Sequence, residues 1–303
     1  MTLHPFVAAM LEQLKGRPAL SSGSPEDARA MVAAARAVIG QGPAMAEVRD
    51  IQVPTRAGSI AARHFRPTDA PAGLLVYLHG GGWVVGALDD YDTLARTLAA
   101  QSGCSVLLPD YRLAPEHQFP AGLDDAVDAL THGRELAGPA TPLLVAGDSA
   151  GANLAAVAAR KLRGKVALAG QALIYPVADC DFGRPSYHAY GAGLPLTRDD
   201  MVWFFRHYAP EAQWTSPDIA PLRAADDLAG LPPTLVVLAE CDVLADEGRA
   251  FADALERAGV PVMRRTAEGV THGFIRLHNL FDVAAREVEA VAEFAARASR
   301  VAG

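Results

Sequence analysis

The pattern of apolar and polar positions divides the chain into a helical start, a long alternation of strands and helices, and one interruption. Residues 1–45 carry two stretches of helical period and no strand signal. The first runs from Phe6 to Lys15 and closes at Gly16 and Pro18. The second opens at Ser24-Pro25-Glu26-Asp27, where serine suits an N-cap, proline the first helical position and the acids the first turn. It runs to Ile39 and stops at Gly40 and Gly42. Val48 to Val53 and Ile60 to Phe65, separated by Pro54 and Gly58, then predict a pair of antiparallel strands. Leu74 to His79 is apolar almost throughout, as a strand covered on both faces requires. From there strands at 105–108, 143–146, 172–175, 234–239 and 260–266 alternate with helices at 91–101, 123–136, 154–163, 246–258 and 282–300. This rhythm predicts an α/β fold, a mostly parallel central sheet with right-handed crossovers and helices on both faces.

The rhythm breaks between Asp179 and about Leu231, a segment too long for an ordinary connection. It holds a helical pattern from Arg198 to Tyr208 that is dense in aromatics. An insertion of this kind is expected over the C-terminal edge of the sheet. With no repeat and no low-complexity linker, residues 46–303 read as one catalytic domain with a cap insertion at about 179–231. Residues 1–45 read as a helical arm that completes the cap.

Composition narrows the picture. Half of the 303 residues are hydrophobic, enough for one large core, and the net charge of −8 includes no basic patch, so neither nucleic acid nor an anionic membrane surface is an expected partner. No apolar run has the length of a membrane span. The apolar patch Phe6 to Leu11 lacks the cationic lead and the cleavage site of a signal peptide. Cys104, Cys180 and Cys241 are widely spaced, without a C-x-x-C pair. They read as free thiols of a reducing compartment, with the cytoplasm as the default, and not as a disulfide frame or a metal site.

The chemistry begins at Gly147-Asp148-Ser149-Ala150-Gly151, between a predicted strand and a predicted helix. A sharp strand-to-helix turn exposes the central hydroxyl, and the flanking glycines leave room for close backbone approach. A serine hydroxyl needs a base and a group to orient that base. Among the histidines after Ser149, His188 and His207 fall in the insertion and His278 leads into the last helix. His272 follows the last strand directly and is favoured. For the acid, Asp242 lies just past a strand end and is favoured over its neighbours Glu240 and Asp246, the latter read as a cap for the following helix together with Glu247. His79-Gly80-Gly81-Gly82-Trp83 follows the third strand, where consecutive glycines let backbone amides approach an oxyanion. A phosphate loop is not met, because Val85 stands where G-x-G-x-x-G needs glycine. His79 precedes the nucleophile and reads as a structural hydrogen-bonding residue.

These stretches, together with Asp110-Tyr111-Arg112-Leu113-Ala114-Pro115-Glu116-His117-Gln118-Phe119-Pro120-Ala121, Glu240 to Gly248 and His272-Gly273-Phe274, stand in the order found in the bacterial hormone-sensitive-lipase-like esterases. The chain resembles that family of the α/β-hydrolase superfamily from about residue 45 to 280. The resemblance implies the α/β-hydrolase fold, a triad of Ser149, Asp242 and His272, and oxyanion donors on the amides of Gly81, Gly82 and Ala150. It also implies a supporting role for the Tyr111 to Ala121 stretch. Cys241 and Val243 depart from the family pattern, which has an aromatic and a proline there, and put the shape of the acid loop in question.

The expected activity is hydrolysis of short- to medium-chain acyl esters through an acyl-enzyme, with no metal or cofactor. Trp83, Trp203, Phe204 and Tyr208 are the expected walls of an apolar substrate pocket. Amides and aryl esters are alternative substrates for the same triad. A non-catalytic receptor of this fold would lack the histidine, which is present here. The last predicted strand carries Pro261 and Arg264-Arg265, suited to a guarded sheet edge, and relatives often dimerise there, so a homodimer is a further expectation.

Overall fold

The computed structural model describes residues 2–301. Eight strands form one sheet: β1 (Glu47–Thr55), β2 (Gly58–Arg66), β3 (Leu74–Leu78), β4 (Ser105–Pro109), β5 (Leu143–Asp148), β6 (Gly170–Ile174), β7 (Thr234–Cys241) and β8 (Val262–Thr271). Their order is β1-β2-β4-β3-β5-β6-β7-β8. β1 pairs antiparallel with β2 and β2 with β4, and every later pairing is parallel. β3 to β7 are buried along nearly their whole length because helices cover both faces, which explains their unbroken apolar runs.

The helices are α1 (Pro5–Leu14), α2 (Pro25–Ala34), α3 (Arg36–Ile39), α4 (Leu88–Ser102), α5 (Ala121–Ala137), α6 (Ala150–Leu162), α7 (Pro185–Tyr190), α8 (Arg198–Tyr208), α9 (Ala245–Arg257) and α10 (Asp282–Val301). Two apolar cores lie on opposite faces of the sheet. Apolar residues of α5, α6 and α9 share one with Leu143 and Val145 of β5. Those of α4 and α10 share the other with Leu144 and Ala146. The alternation along β5 is the two-residue period of a strand covered on both sides.

Ahead of the sheet, Ser24 caps α2 in a reciprocal capping box with Asp27. The helix expected to continue to Ile39 divides at Ala35, whose N–H reaches back to Val32 as well as to Ala33, and α3 follows as a separate short helix. Within the insertion, Thr197 and Asp200 form a second capping box at α8. Asp200 also accepts the Ser21 amide at 2.8 Å, so one carboxylate ties the arm to the insertion. Arg29 of α2 extends to the carbonyls of Val84 and Ala114, at 2.9 and 3.0 Å, and to Glu116 at 2.7 Å. The arm is thereby fastened to the glycine loop and to the Tyr111 to Ala121 stretch.

β8 continues five residues beyond the expected Thr266. Its pairing with β7 shifts between Ala239 and Cys241, with Gly269 in the left-handed region at φ 67° and its amide on Glu240 at 2.7 Å. This irregularity lets β8 resume at Thr271, beside Cys241, and delivers His272 to the edge where β7 ends.

Candidate active site

Ser149 stands between β5 and α6 with φ 56° and ψ −119°, a conformation that costs energy for a side chain with a Cβ and that the surrounding contacts impose. The bend is packed so closely that a Cβ on Gly151 would lie 2.0 Å from the Leu78 carbonyl oxygen, and one on Gly147 2.5 Å from Gly151. Only glycine fits at both positions. The hydroxyl is thus held at the mouth of α6, whose first residue is Ala150.

His272 joins Ser149 to Asp242. Its Nε2 lies 2.9 Å from Ser149 Oγ, and its Nδ1 lies 2.7 Å from Asp242 Oδ2. Asp242 follows β7 directly, its side chain is 0% exposed, and its second oxygen accepts the Leu244 amide at 3.0 Å. A carboxylate fixed in this way sets which imidazole nitrogen bears hydrogen and leaves Nε2 free to take the serine proton. Neither competing acid reaches His272. Glu240 accepts the Gly269 amide. Asp246, expected to cap α9, instead accepts the Ser186 amide at the start of α7 and pairs with Arg249, because it already lies inside α9. Glu247 is also no cap: it is buried, accepts the Ala178 and Asp179 amides, and is pushed up to about 8 by that burial. Cys241 and Val243 are both buried, and the Val243 carbonyl accepts the Ser186 hydroxyl at 2.6 Å, so the departing residues pack into a held loop.

The glycine loop lines the same cavity as His272. Gly81 and Gly82 have φ values of 122° and 57°, and a Cβ on Gly82 would overlap the Phe204 ring at 2.2 Å. Asp148 anchors this loop. Its carboxylate accepts the Gly80 amide and the Tyr77 hydroxyl, both at 2.9 Å, and the hydroxyls of Tyr91 and Tyr175 at 3.2 and 3.4 Å. Burial pushes its pKa up, against the pull of those donors. His79 is enclosed, with Nδ1 2.8 Å from the Gly80 carbonyl and its ring stacked on Tyr111 at 4.3 Å. Burial pushes it down to about 4, so it is neutral near pH 7. Tyr111 in turn donates to the His79 carbonyl at 2.8 Å, which links the Tyr111 to Ala121 stretch to the loop.

Ser149, His272 and Gly80 to Gly82 line a cavity of about 240 Å³. Of the four aromatics expected on its walls, only Phe204 is there. Trp83, at φ 61°, is turned into the core and stacks on Tyr208 at 4.2 Å. Met201, Phe204 and Tyr208 stand at the spacing of one face of α8, but Tyr208, a turn beyond Phe204, stacks on Trp83 and does not line the cavity. Trp203 packs edge-on against Phe204 and His207, outside the cavity. Much of the remaining apolar wall comes from the arm, through Met10, Leu14, Leu20, Val32 and Ile39, and the rest from Val85, Leu196 and Leu277. The sequence reading missed these residues. Met10 and Leu14 sit at the i, i+4 spacing of one helix face, a signal that could have identified them.

A model of the α/β-hydrolase fold matches residues 75–276. An ethyl acetate hydrolase of Pseudomonas putida is 38% identical, with 94% of this chain and 95% of that protein aligned. The carboxylic ester hydrolase LipN of Mycobacterium tuberculosis is 40% identical over 77% of this chain and 66% of that protein. Among solved structures, the hyperthermophilic esterase of the archaeon Pyrobaculum calidifontis superposes with a TM-score of 0.91 at 35% identity, covering 100% of both chains. The chain belongs to the α/β-hydrolase family. Within it, the chain groups with carboxylic ester hydrolases, as its motifs led us to expect.

Proposed function

We propose that the protein is a serine carboxylesterase that cleaves small acyl esters through an acyl-enzyme. Ser149 is the nucleophile, His272 the general base and then acid, and Asp242 the group that orients and stabilises the imidazolium. The observation that carries this reading is the continuous chain Ser149 Oγ, His272 Nε2, His272 Nδ1 and Asp242 Oδ2, with links of 2.9 and 2.7 Å. As Oγ attacks the ester carbonyl, its proton passes to Nε2. Negative charge develops on the carbonyl oxygen, toward the amides of Gly81, Gly82 and Ala150 and the start of α6, where the helix dipole favours it. The tetrahedral intermediate collapses, the alcohol leaves with the proton from His272, and water repeats the sequence to release the acid. The chemistry assigned to these side chains calls on no cofactor.

A cavity of this volume with apolar walls suits short acyl and alcohol groups. The three cysteines are free, in keeping with a cytoplasmic site of action, and none of the described helices is long and apolar enough to cross a membrane. β8 lies at the sheet edge, and pairing of two copies along it would give the homodimer that gel filtration can detect.

The test is hydrolysis of p-nitrophenyl acetate and labelling by a fluorophosphonate. Ser149→Ala is expected to lower turnover by on the order of 10⁶ and to abolish labelling. Near-full activity in that variant would remove Ser149 as the nucleophile.

A further inference from the structure

We propose that Arg276 makes the cavity selective for esters that carry a carboxylate close to the scissile bond, an inference that rests on the esterase reading above. Arg276 lies four residues after His272, on the short helical turn Phe274–Leu277, and lines the same cavity as Ser149 and His272. Its side chain is only 16% exposed. The guanidinium sits over the Tyr91 ring at 5.0 Å. The carboxylate beside it is Asp90, whose Oδ1 stands 3.9 Å from Nη2, beyond hydrogen-bond distance, and already accepts Arg36 Nε at 2.7 Å. Nε and Nη2 are buried without a hydrogen-bond partner among the described residues, and the side chain belongs to the cavity wall.

An arginine keeps its charge at any working pH, and a buried charge without hydrogen bonds is unfavourable. This one is held in a wall that, away from Asp148, Ser149 and His272, is built mostly of apolar side chains and glycines. The carboxyl that lines this cavity, Asp148, is turned onto the Gly80 amide and tyrosine hydroxyls and makes no ion pair with Arg276. A substrate carboxylate would supply the acceptor that the chain does not. The protein's net charge of −8 exerts no general pull on anions, so discrimination of this kind has to be local. The carboxylate is a spectator in the reaction. Water adds, the acyl–oxygen bond breaks, and the anion serves only to seat the ester.

Two placements of the carboxylate share this chemistry, on the acyl side and on the alcohol side. Each is tested against its neutral amide counterpart, monoethyl succinate against ethyl succinamate and acetoxyacetate against acetoxyacetamide. For the wild type, kcat/KM is expected to favour the anion in at least one pair by about 10- to 100-fold, the range of a charge-assisted hydrogen bond. The favoured pair identifies the side. That ratio is expected to fall at least about tenfold in Arg276→Gln and to return in part in Arg276→Lys. A purely structural Arg276 would lower both members of a pair together and leave the ratio unchanged, which would overturn the proposal. Hydrolysis of the neutral esters with no preference for either anion would overturn it while leaving the esterase reading intact. If none of the four compounds nor p-nitrophenyl acetate is cleaved, both readings fall. Should Arg276→Gln not fold, inhibition of the wild type decides: butyrate is expected to inhibit more strongly than butyramide, and equal inhibition counts against Arg276.

Discussion

Asp148 accepts the Gly80 amide at 2.9 Å, which joins the residue before Ser149 to the loop that carries Gly81 and Gly82. The proposed nucleophile and oxyanion donors are therefore held in register by one buried carboxylate. The same group collects three tyrosine hydroxyls from β3, α4 and the end of β6. Preorganised donors stabilise a developing charge only if they are already in place when it forms. Asp148→Ala removes all four acceptor contacts and is expected to lower kcat by about 100-fold, with a smaller change in KM. Asp148→Asn keeps one oxygen for Gly80 and Tyr77 and is expected to retain more activity than the alanine variant. Steady-state kinetics on p-nitrophenyl acetate orders the two, and identical losses would show that the Gly80 tie is not what Asp148 contributes.

Arg29 does for the arm what Asp148 does for the loop. Its guanidinium spans the carbonyls of Val84 and Ala114 and pairs with Glu116, whose carboxyl is held down to about 2, chiefly by that hydrogen bond. Arg29→Met keeps the aliphatic stem and removes every polar contact. Glu116 is nearly half exposed, so most of the loss comes from the two carbonyls, and a destabilisation of about 1–3 kcal/mol is expected. Because α1 to α3 wall the cavity, the variant is also expected to expose residues 1–45 to limited proteolysis and to reduce kcat/KM for short esters. Chemical denaturation and timed trypsin digestion measure the two effects. An unchanged digestion pattern would mean that the arm is held by its apolar contacts alone.

The parts of the site that could be read from the sequence share a cause. Ser149, Asp242 and His272 each stand at the C-terminal end of a strand, and a strand end is marked by the change in hydrophobic period. The walls of the cavity carry no such mark. An aromatic at position 83 or 208 has the same hydropathy whether it faces the substrate or the core. The choice was made by the φ of Trp83 and by the turn of α8 from which each aromatic projects, Tyr208 standing one turn beyond Phe204. Asp246 has the composition of a cap, yet its partner lies 60 residues earlier in the chain. The length of β8 was hidden because Glu268-Gly269 reads as a stop, whereas the structure uses that glycine to shift the pairing and continue. Local patterns located the chemistry, and contacts between distant segments shaped what surrounds it.

Burial of Glu247 leads to a dependence of stability on pH. The folded protein holds its proton up to about 8, whereas an unfolded glutamate releases it near 4.3. The stability linked to this proton is fully present below about pH 4 and is lost as pH rises toward 8. Glu247→Gln keeps the oxygen that accepts the Ala178 and Asp179 amides and cannot ionise. The unfolding free energy of the variant minus that of the wild type is therefore expected to rise by a few kcal/mol from pH 5 to pH 8. Denaturant titrations at three pH values within that window give the difference directly. A constant difference would mean that Glu247 ionises as readily in the fold as outside it.

Asp242 provides a test of the orientation of His272. Its carboxylate is fully enclosed and has two partners, the Leu244 amide on Oδ1 and His272 Nδ1 on Oδ2. An asparagine has the same shape, so the loop after β7 is expected to stand. If the amide nitrogen takes the place of Oδ2, it presents a donor to Nδ1, the hydrogen of the neutral imidazole moves to Nε2, and Ser149 loses its base. If the amide is turned the other way, the nitrogen faces the Leu244 amide and the loop loses its acceptor. Either outcome also withdraws the negative charge that stabilises the imidazolium formed during attack. Asp242→Asn is expected to lower kcat by about 10⁴ with the fold retained. Circular dichroism checks the fold and p-nitrophenyl acetate kinetics the rate. A loss below about tenfold, with a severe loss in Glu240→Gln, would move the orienting acid from Asp242 to Glu240.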